Sequence, residues 1–270
     1  MDVKTTLNEL SAFLKTEKQP IVAASKTIWA NPELAFAEYK ASQLLVDLLK
    51  KFGFAVEYPY AGMETAFRAE YSRGTGGATF ALAAEYDALA GIGHACGHNL
   101  IGAASVAAAY AAKAYMDKHD ITGKIVVLGT PGEEGGGGKV LMLKNADCLK
   151  GVDAVMMSHA AACSTRGDSG SSGIRRYEVV FHGRASHAAG SPEKGINALD
   201  AQILLFNAIG LYRQQMNREA SIHGIILEGD LGIRPDGLRG FDEFVVLRLN
   251  GRPQFGQDRF DIHGHILSLW

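Results

Sequence analysis

Apolar and polar positions recur along the chain with two periods, and each period predicts a different kind of element. Apolar residues three or four positions apart predict helices over Val3–Leu14, Ala37–Phe52 and Asn99–Met116, with Asn99 as the candidate N-cap of the third. Alternating or continuous apolar runs predict strands over Ala55–Tyr60, Ala78–Ala84, Lys124–Gly129 and Val152–Ser158. Strands that alternate with helices predict an α/β domain, with a mostly parallel sheet flanked by helices.

The pattern changes at a Gly- and Ser-rich segment, residues 167–173, which is typical of a linker. After it, the spacing predicts a strand (Tyr177–Phe181), a helix (about 198–215) and a strand (Ile222–Leu227), which make up half of a small α+β domain. Residues 231–270 contain five Arg and no Lys, with regular spacing only in Phe244–Leu249. We therefore divide the chain into an α/β domain (1–172), part of a second domain (173–230) and a divergent tail (231–270).

Composition excludes several classes of protein. The 270 residues carry 27 basic and 29 acidic side chains, which gives no basic footprint for nucleic acid. The longest apolar run, Leu100–Ala112, is shorter than the roughly 20 residues of a membrane span, and the first residues lack the apolar core of a secretory signal. Three cysteines do not suggest a disulfide framework. We expect a cytoplasmic protein that binds neither nucleic acid nor membrane.

The segment Gly93–Asn99 is the first candidate for chemistry. His94, Cys96 and His98 are two residues apart, so in an extended segment their side chains would share one side. A thiol and imidazoles so arranged suit a borderline-soft divalent metal. The alternative is a Gly-rich turn with a buried free cysteine and ordinary histidines.

The segment Pro131–Gly138 is the second candidate, because Glu133 and Glu134 follow an apolar strand and precede four glycines. Neighbouring residues of an extended chain point to opposite sides, so one carboxylate could bind a metal while the other faces a reacting water. The alternative is a solvated acidic turn. A phosphate-binding loop is excluded, since Glu133 and Val140 stand where it requires Gly and Ser or Thr.

Further ligand-type residues follow the predicted strands. His159 comes after Val152–Ser158, and Glu85 and Asp87 come after Ala78–Ala84. In open α/β sheets ligands bind beyond the carboxyl ends of the strands. Together with the two segments above, these residues predict a single metal site at that edge.

Five segments resemble the metal-dependent aminoacylases, dipeptidases and amidohydrolases of peptidase family M20. They are Trp29–Glu38, Ala84–Leu89, Gly91–Leu100, Gly129–Gly138 and Gly183–Ala189. The likeness runs from about residue 5 to 230 and is strongest to the branch of aminobenzoyl-glutamate hydrolases and of the dipeptidase that cleaves dipeptides ending in basic residues. It implies a zinc-peptidase-like catalytic domain in residues 1–172 and part of a dimerisation or lid domain in residues 173–230.

The resemblance also implies roles for individual residues. Metal ligands would be Cys96, His98, Glu134 and His159, holding one or two ions of Zn or Mn. Glu133 matches the general base, which takes a proton from the metal-activated water and passes it to the leaving amine. Asp87 matches the acid that supports the metal cluster. His187 matches a lid histidine that reaches into the partner's site in a homodimer.

The chain departs from the family pattern at several positions. Glu85 stands where other branches have a metal-binding histidine, Ala90 where Pro is usual and Asn99 where Asp is common. No residue after Asp230 matches the family's last metal-binding histidine, and His263 and His265 match no family motif. The resemblance therefore implies a hydrolase of dipeptides or N-acyl amino acids. The alternative is a catalytically impaired truncated product that keeps the fold and binds partner subunits.

Overall fold

The computed structural model describes residues 2–160, 174–218, 220–228, 242–250 and 260–262. The chain divides into two compact units, residues 1–165 and 166–270. Each unit contains one sheet. The predicted boundaries at residues 172 and 230 lie in segments 161–173 and 229–241, which the structure does not describe. The predicted division into domains therefore stays a prediction.

In its described residues, the first unit has five strands and five helices. In chain order they are α1 (Val3–Ala30), α2 (Tyr39–Lys51), β1 (Ala55–Glu57), β2 (Phe67–Arg73), β3 (Thr79–Ala84), α3 (His98–His119), β4 (Gly123–Gly129), α4 (Glu133–Gly136), α5 (Gly138–Asn145) and β5 (Ala154–Met156). The strand order is β1-β2-β4-β3-β5. Strands β4, β3 and β5 are parallel, and β2 and β1 extend the sheet antiparallel. The α/β class is thus confirmed, with a mixed sheet.

The parallel part of the sheet positions the candidate residues. Ala84, the last residue of β3, pairs with Gly129, the last residue of β4, and Leu82 of β3 pairs with Met156 at the end of β5. The carboxyl ends of the three strands therefore meet at one edge, as the sequence predicted. The segments that leave this edge carry the acids and His159.

The core of the first unit forms where α2 and α3 cover one face of this sheet and α1 packs on these two helices. Leu45 and Leu49 of α2 and Val106 of α3 are fully buried against Phe67 of β2 and Val127 of β4. Such burial of apolar area is the main force that holds the helices on the sheet.

Three local predictions were wrong or incomplete. Helix α1 continues sixteen residues past Leu14, through Pro20, because Ile21, Ala24 and Ile28 extend its buried stripe. Asn99 does not cap α3: Gly97 is the N-cap in a left-handed conformation, and the Asn99 amide donates to Ser25 Oγ over 3.2 Å. Strand β2 was not predicted.

The second unit is a small α+β unit. Its elements are β6 (Ile174–His182), a 3₁₀ turn (Pro192–Lys194), α6 (Ala198–Tyr212), a 3₁₀ turn (Arg213–Gln215), β7 (Ser221–Glu228), β8 (Asp242–Asn250) and β9 (Phe260–Ile262). The strand order is β7-β8-β6-β9, and Ile209 of α6 packs with Val179 of β6. Residues 242–250, which the sequence assigned to a divergent tail, form the strand between β7 and β6.

Among the described residues, no helix combines the length and the apolar character that crossing a bilayer requires.

Candidate metal and catalytic site

Asp87 connects two segments of the site. Its Oδ1 lies 2.8 Å from Nδ1 of His98, and its Oδ2 accepts the backbone N–H of Glu134 over 2.9 Å. Burial raises the pKa of Asp87, but these hydrogen bonds outweigh it and hold the pKa below its usual value. The group is therefore a carboxylate that joins the start of α3 to the turn after β4.

His98 is the centre of the cluster and is completely buried. Its Nε2 lies 3.4 Å from Glu85 Oε2, 3.7 Å from Glu134 Oε1 and 3.9 Å from Glu133 Oε2, and it has no hydrogen-bond partner. Burial lowers the pKa of His98, but the hydrogen bond to Asp87 and the neighbouring carboxylates raise it above its usual value. A buried imidazole nitrogen that faces three carboxylates is a position for a cation.

Cys96 and His159 form the exposed side of the site. Cys96 Sγ lies 3.4 Å from His159 Nε2, while His159 Nδ1 lies 2.6 Å from the carbonyl oxygen of Ala160. Burial, followed by the hydrogen bond and charge of Glu134, raises the pKa of Cys96 to about 12. Without a metal Cys96 is thus a thiol, and metal binding would have to displace its proton.

The candidate ligand atoms fall into two groups, each within 4.8 Å: Cys96, His98 and His159, and His98, Glu133 and Glu134. Both groups contain His98. Thiolate, imidazole and carboxylate donors together suit zinc, and the carboxylate and imidazole donors also suit manganese. The unpartnered Nε2 of His98 and this donor set fit a divalent metal.

The two adjacent glutamates differ in their environment. The Glu134 side chain is 16% exposed, whereas that of Glu133 is 43% exposed. They do not point to opposite sides as predicted for an extended segment: they lie in the helical turn α4, and both carboxylates face His98 Nε2, over 3.9 and 3.7 Å. Glu133 is therefore the carboxylate that is accessible to water and substrate.

Two further residues lie at the site: Lys139, to which the sequence gave no role, and Glu85, which it gave only as one of the ligand-type residues after β3. Glu85 is buried, Lys139 Nζ contacts its Oε1, and its Oε2 has no hydrogen-bond partner. Lys139 follows the last of the four glycines directly, and Glu85 directly follows β3. The sequence shows Lys139 beside the loop that contains Glu133 and Glu134, which is a signal that this basic residue takes part in the site. Spacing alone does not pair it with Glu85.

Not all of the predicted residues come together. His94 belongs to neither ligand group, because residues 94–97 form a turn and not the extended segment that would align it with Cys96 and His98. His187 lies in the second unit, where its Nδ1 accepts the backbone N–H groups of Ala189 and Gly190. His263 and His265 lie outside the described residues.

The chain matches a protein-family model and several curated proteins. Residues 77–208 match the model of peptidase family M20/M25/M40. The chain is 37% identical over 236 residues to an Xaa-Arg dipeptidase from Mus musculus, covering 83% of this chain and 53% of that protein. It is 31% identical over 251 residues to one of the subunits of p-aminobenzoyl-glutamate hydrolase from Escherichia coli (strain K12), covering 87% of this chain and 51% of that protein.

A solved structure also has this fold. The YXEP protein of Bacillus subtilis, described as a dinuclear metal-binding peptidase from the M20 family, aligns with a TM-score of 0.57 at 15% identity. The alignment covers 87% of this chain and 64% of that one. The chain spans about half the length of the curated relatives that it matches.

Proposed function

Because the chain belongs to peptidase family M20, we propose that it is part of a metal-dependent hydrolase of dipeptides or N-acyl amino acids. The observation that carries the proposal is the convergence of the candidate ligands on the unpartnered Nε2 of His98. The two curated relatives are named for amide hydrolysis of a dipeptide and of an acylated amino acid. The substrate class follows from those names.

The residues that would hold the metal are Cys96, His98, Glu134 and His159, with Zn or Mn as the ion. A divalent metal supplies Lewis-acid activation of water and of an amide carbonyl when it is bound. Asp87 keeps His98 Nδ1 hydrogen-bonded and thereby directs Nε2 toward the carboxylates. Asp87 acts through the ligands, and we assign it a supporting role.

We assign Glu133 as the general base. Its carboxylate is the more exposed of the pair, and Oε2 lies 3.9 Å from His98 Nε2, next to the proposed ligands. From there it can take a proton from the attacking water, hold it on the carboxyl group and donate it to the leaving amine. Its neighbour Glu134 is more enclosed, which suits a ligand better than a proton carrier.

The second unit would act as a dimerisation lid. We propose that His187 reaches the site of the other protomer in a homodimer, in accordance with the family resemblance. Its Nδ1 is engaged by two backbone N–H groups, which fixes the ring and leaves Nε2 as the functional atom. We further propose a cytoplasmic location with no nucleic-acid or membrane partner, on the basis of the balanced charge.

A second candidate is a form that keeps the fold and binds partner protomers without turnover. It is the alternative that the family resemblance leaves open. Its properties would be a folded chain that binds little metal and hydrolyses nothing.

The test separates these two functions. The purified chain is loaded with Zn or Mn, its metal content is measured, and it is assayed on a dipeptide ending in Arg or Lys and on aminobenzoyl-glutamate. Glu133→Gln should lower turnover roughly 100- to 10,000-fold without loss of metal, whereas Glu134→Ala should lose both. A folded, metal-loaded chain with no turnover on these amides overturns the proposed hydrolase.

A further inference from the structure

A fully buried carboxylate, Glu38, lies behind the turn that carries Glu133 and Glu134 and belongs to neither ligand group. Its Oε1 accepts the backbone N–H groups of Phe36, over 2.9 Å, and of Gly132, over 2.8 Å. Its Oε2 accepts the hydroxyl of Thr65 over 2.8 Å. One side chain thus joins the start of α2 to the loop after β4.

Gly132 closes the loop through two backbone hydrogen bonds. It has a left-handed backbone with φ 65°, and its carbonyl oxygen accepts the N–H groups of Gly136 and Gly138 over 3.1 and 3.3 Å. Glu133 follows it directly. Because Glu38 binds the N–H of Gly132, the carboxylate fixes the point from which both glutamates of the site project.

The ring of Phe36 covers the same loop. A Cβ atom on Gly132 would lie 2.7 Å from this ring, and one on Gly136 would lie 2.0 Å from it, so only glycine fits at these contacts. Phe36 itself has φ 63°, a conformation that is uncommon for a residue with a side chain. The hydrogen bond from its N–H to Glu38 helps to hold this conformation.

The hydrogen bonds to Glu38 matter because the backbone N–H of Gly132 is buried. An unpaired buried backbone N–H is costly, so the loop needs an acceptor at this position. A glutamine could make the same set, with its oxygen accepting the two N–H groups and its amide donating to Thr65. A methionine of similar size could make none of them.

We propose that Glu38 is a positioning residue, which together with Phe36 holds the loop Gly132–Gly138 in the conformation that presents Glu133 and Glu134 to the site. The expected effects on metal affinity and turnover rest on the proposed function. The expected effect on the conformation of the loop does not. Among the described residues, the hydrogen-bond partners of the Glu38 side chain include no proposed ligand; it reaches the loop through the backbone of Gly132 and through Phe36.

The experiment compares Glu38→Met, Glu38→Gln and Thr65→Val in the full chain. Thr65→Val is the matched control, because it removes the partner of Oε2 and leaves the bond to Gly132. Amide hydrogen exchange of a peptide covering residues 132–138 is measured in the metal-free protein, with a peptide from α3 as the internal reference. We expect faster exchange of the loop in Glu38→Met alone, with wild-type rates in Glu38→Gln.

Metal affinity and steady-state kinetics give the second readout. Glu38→Met should lower metal affinity about 10- to 100-fold and reduce kcat more than it raises KM, and Glu38→Gln should restore both. If Glu38→Met does not fold, Glu38→Asp retracts the carboxylate by one methylene and gives the same comparison.

Unchanged loop exchange in Glu38→Met, or equal acceleration in Thr65→Val, overturns the positioning role. A wild-type chain without turnover refutes the proposed hydrolase instead, and the exchange data still decide the role of Glu38.

Discussion

Asp87 Oδ1 lies 2.8 Å from His98 Nδ1, and this contact determines which imidazole nitrogen faces the carboxylates. An ionised carboxylate only accepts hydrogen bonds, so Nδ1 carries the proton and Nε2 is directed into the cluster. A carboxylate behind a histidine in this way orients metal-binding imidazoles in many proteins. The same carboxylate also accepts the backbone N–H of Glu134, so Asp87 helps to position two proposed ligands, His98 and Glu134.

Asp87→Asn should therefore weaken metal binding without removing a proposed ligand. The amide has a similar shape but lacks the charge that orients His98, and we expect about 10- to 100-fold lower metal affinity. Competition titration with a chelator measures it. Asp153→Asn is the control, because Asp153 accepts the N–H of Thr79 at the opposite end of β3. Equal affinities in both variants would contradict the assignment.

Cys96→Ser should change which metal is preferred. Thiolate is the softest donor of the set, and it favours Zn over Mn more than a hydroxyl does. The affinity for Zn should fall further than that for Mn, as measured by competition with both ions. Cys148→Ala, which removes a buried cysteine far along the chain from the motif, should leave the ratio unchanged. A parallel loss for both ions would argue against Cys96 as a ligand.

Gly136→Ala should destabilise the protein only while Phe36 is present. The added Cβ would lie 2.0 Å from the Phe36 ring, and overpacking of this kind costs about 1–3 kcal/mol. In a Phe36→Ala background the clash is gone, and alanine in a helical turn becomes neutral or stabilises by up to about 1 kcal/mol. Urea unfolding of the wild type, the two single variants and the double variant gives the four free energies of the double-mutant cycle. Additive effects would show that the ring does not cover Gly136.

The sequence predicted the buried parallel strands of the sheet better than the antiparallel strand β2. Lys124–Gly129 was recognisable as a strand because β4 is buried on both faces and its residues form a continuous apolar run. Strand β2 alternates instead, with Phe67 and Ala69 inside and Arg68 and Glu70 partly exposed, a short signal between two loops. Its partners in β4 lie at least fifty positions further along the chain, and no local pattern encodes such a pairing.

The candidate site was predictable as a set of residues but not as a set of contacts. Cys96 and His98 were identified by spacing, yet the same spacing also aligned His94, which belongs to neither ligand group because residues 94–97 form a turn. Glu38 was visible only as an acid within a motif, and Glu85 only as one of several ligand-type residues after a strand. Their roles depend on burial and on partners from distant segments, Gly132 and Lys139, which only the folded chain brings near.

Glu38→Gln should alter how stability depends on pH. Burial raises the pKa of Glu38 above its usual value of 4.5, although hydrogen bonds from Thr65, Phe36 and Gly132 lower it in part. As pH rises, the unfolded chain loses this proton before the folded chain does, so folding becomes less favourable between the unfolded and folded pKa values. Glutamine has no proton to lose and keeps the hydrogen bonds.

The stability of Glu38→Gln relative to wild type should therefore increase from about pH 4.5 upward and level off above the folded pKa. Denaturant unfolding of both proteins at intervals up to roughly pH 8 measures the difference. Glu64→Gln is the control, since Glu64 accepts a hydrogen bond from Tyr39 on the surface and is not enclosed. A difference between Glu38→Gln and wild type that is constant or shrinks over this range would mean that the Glu38 carboxyl is already ionised in the folded protein at acid pH.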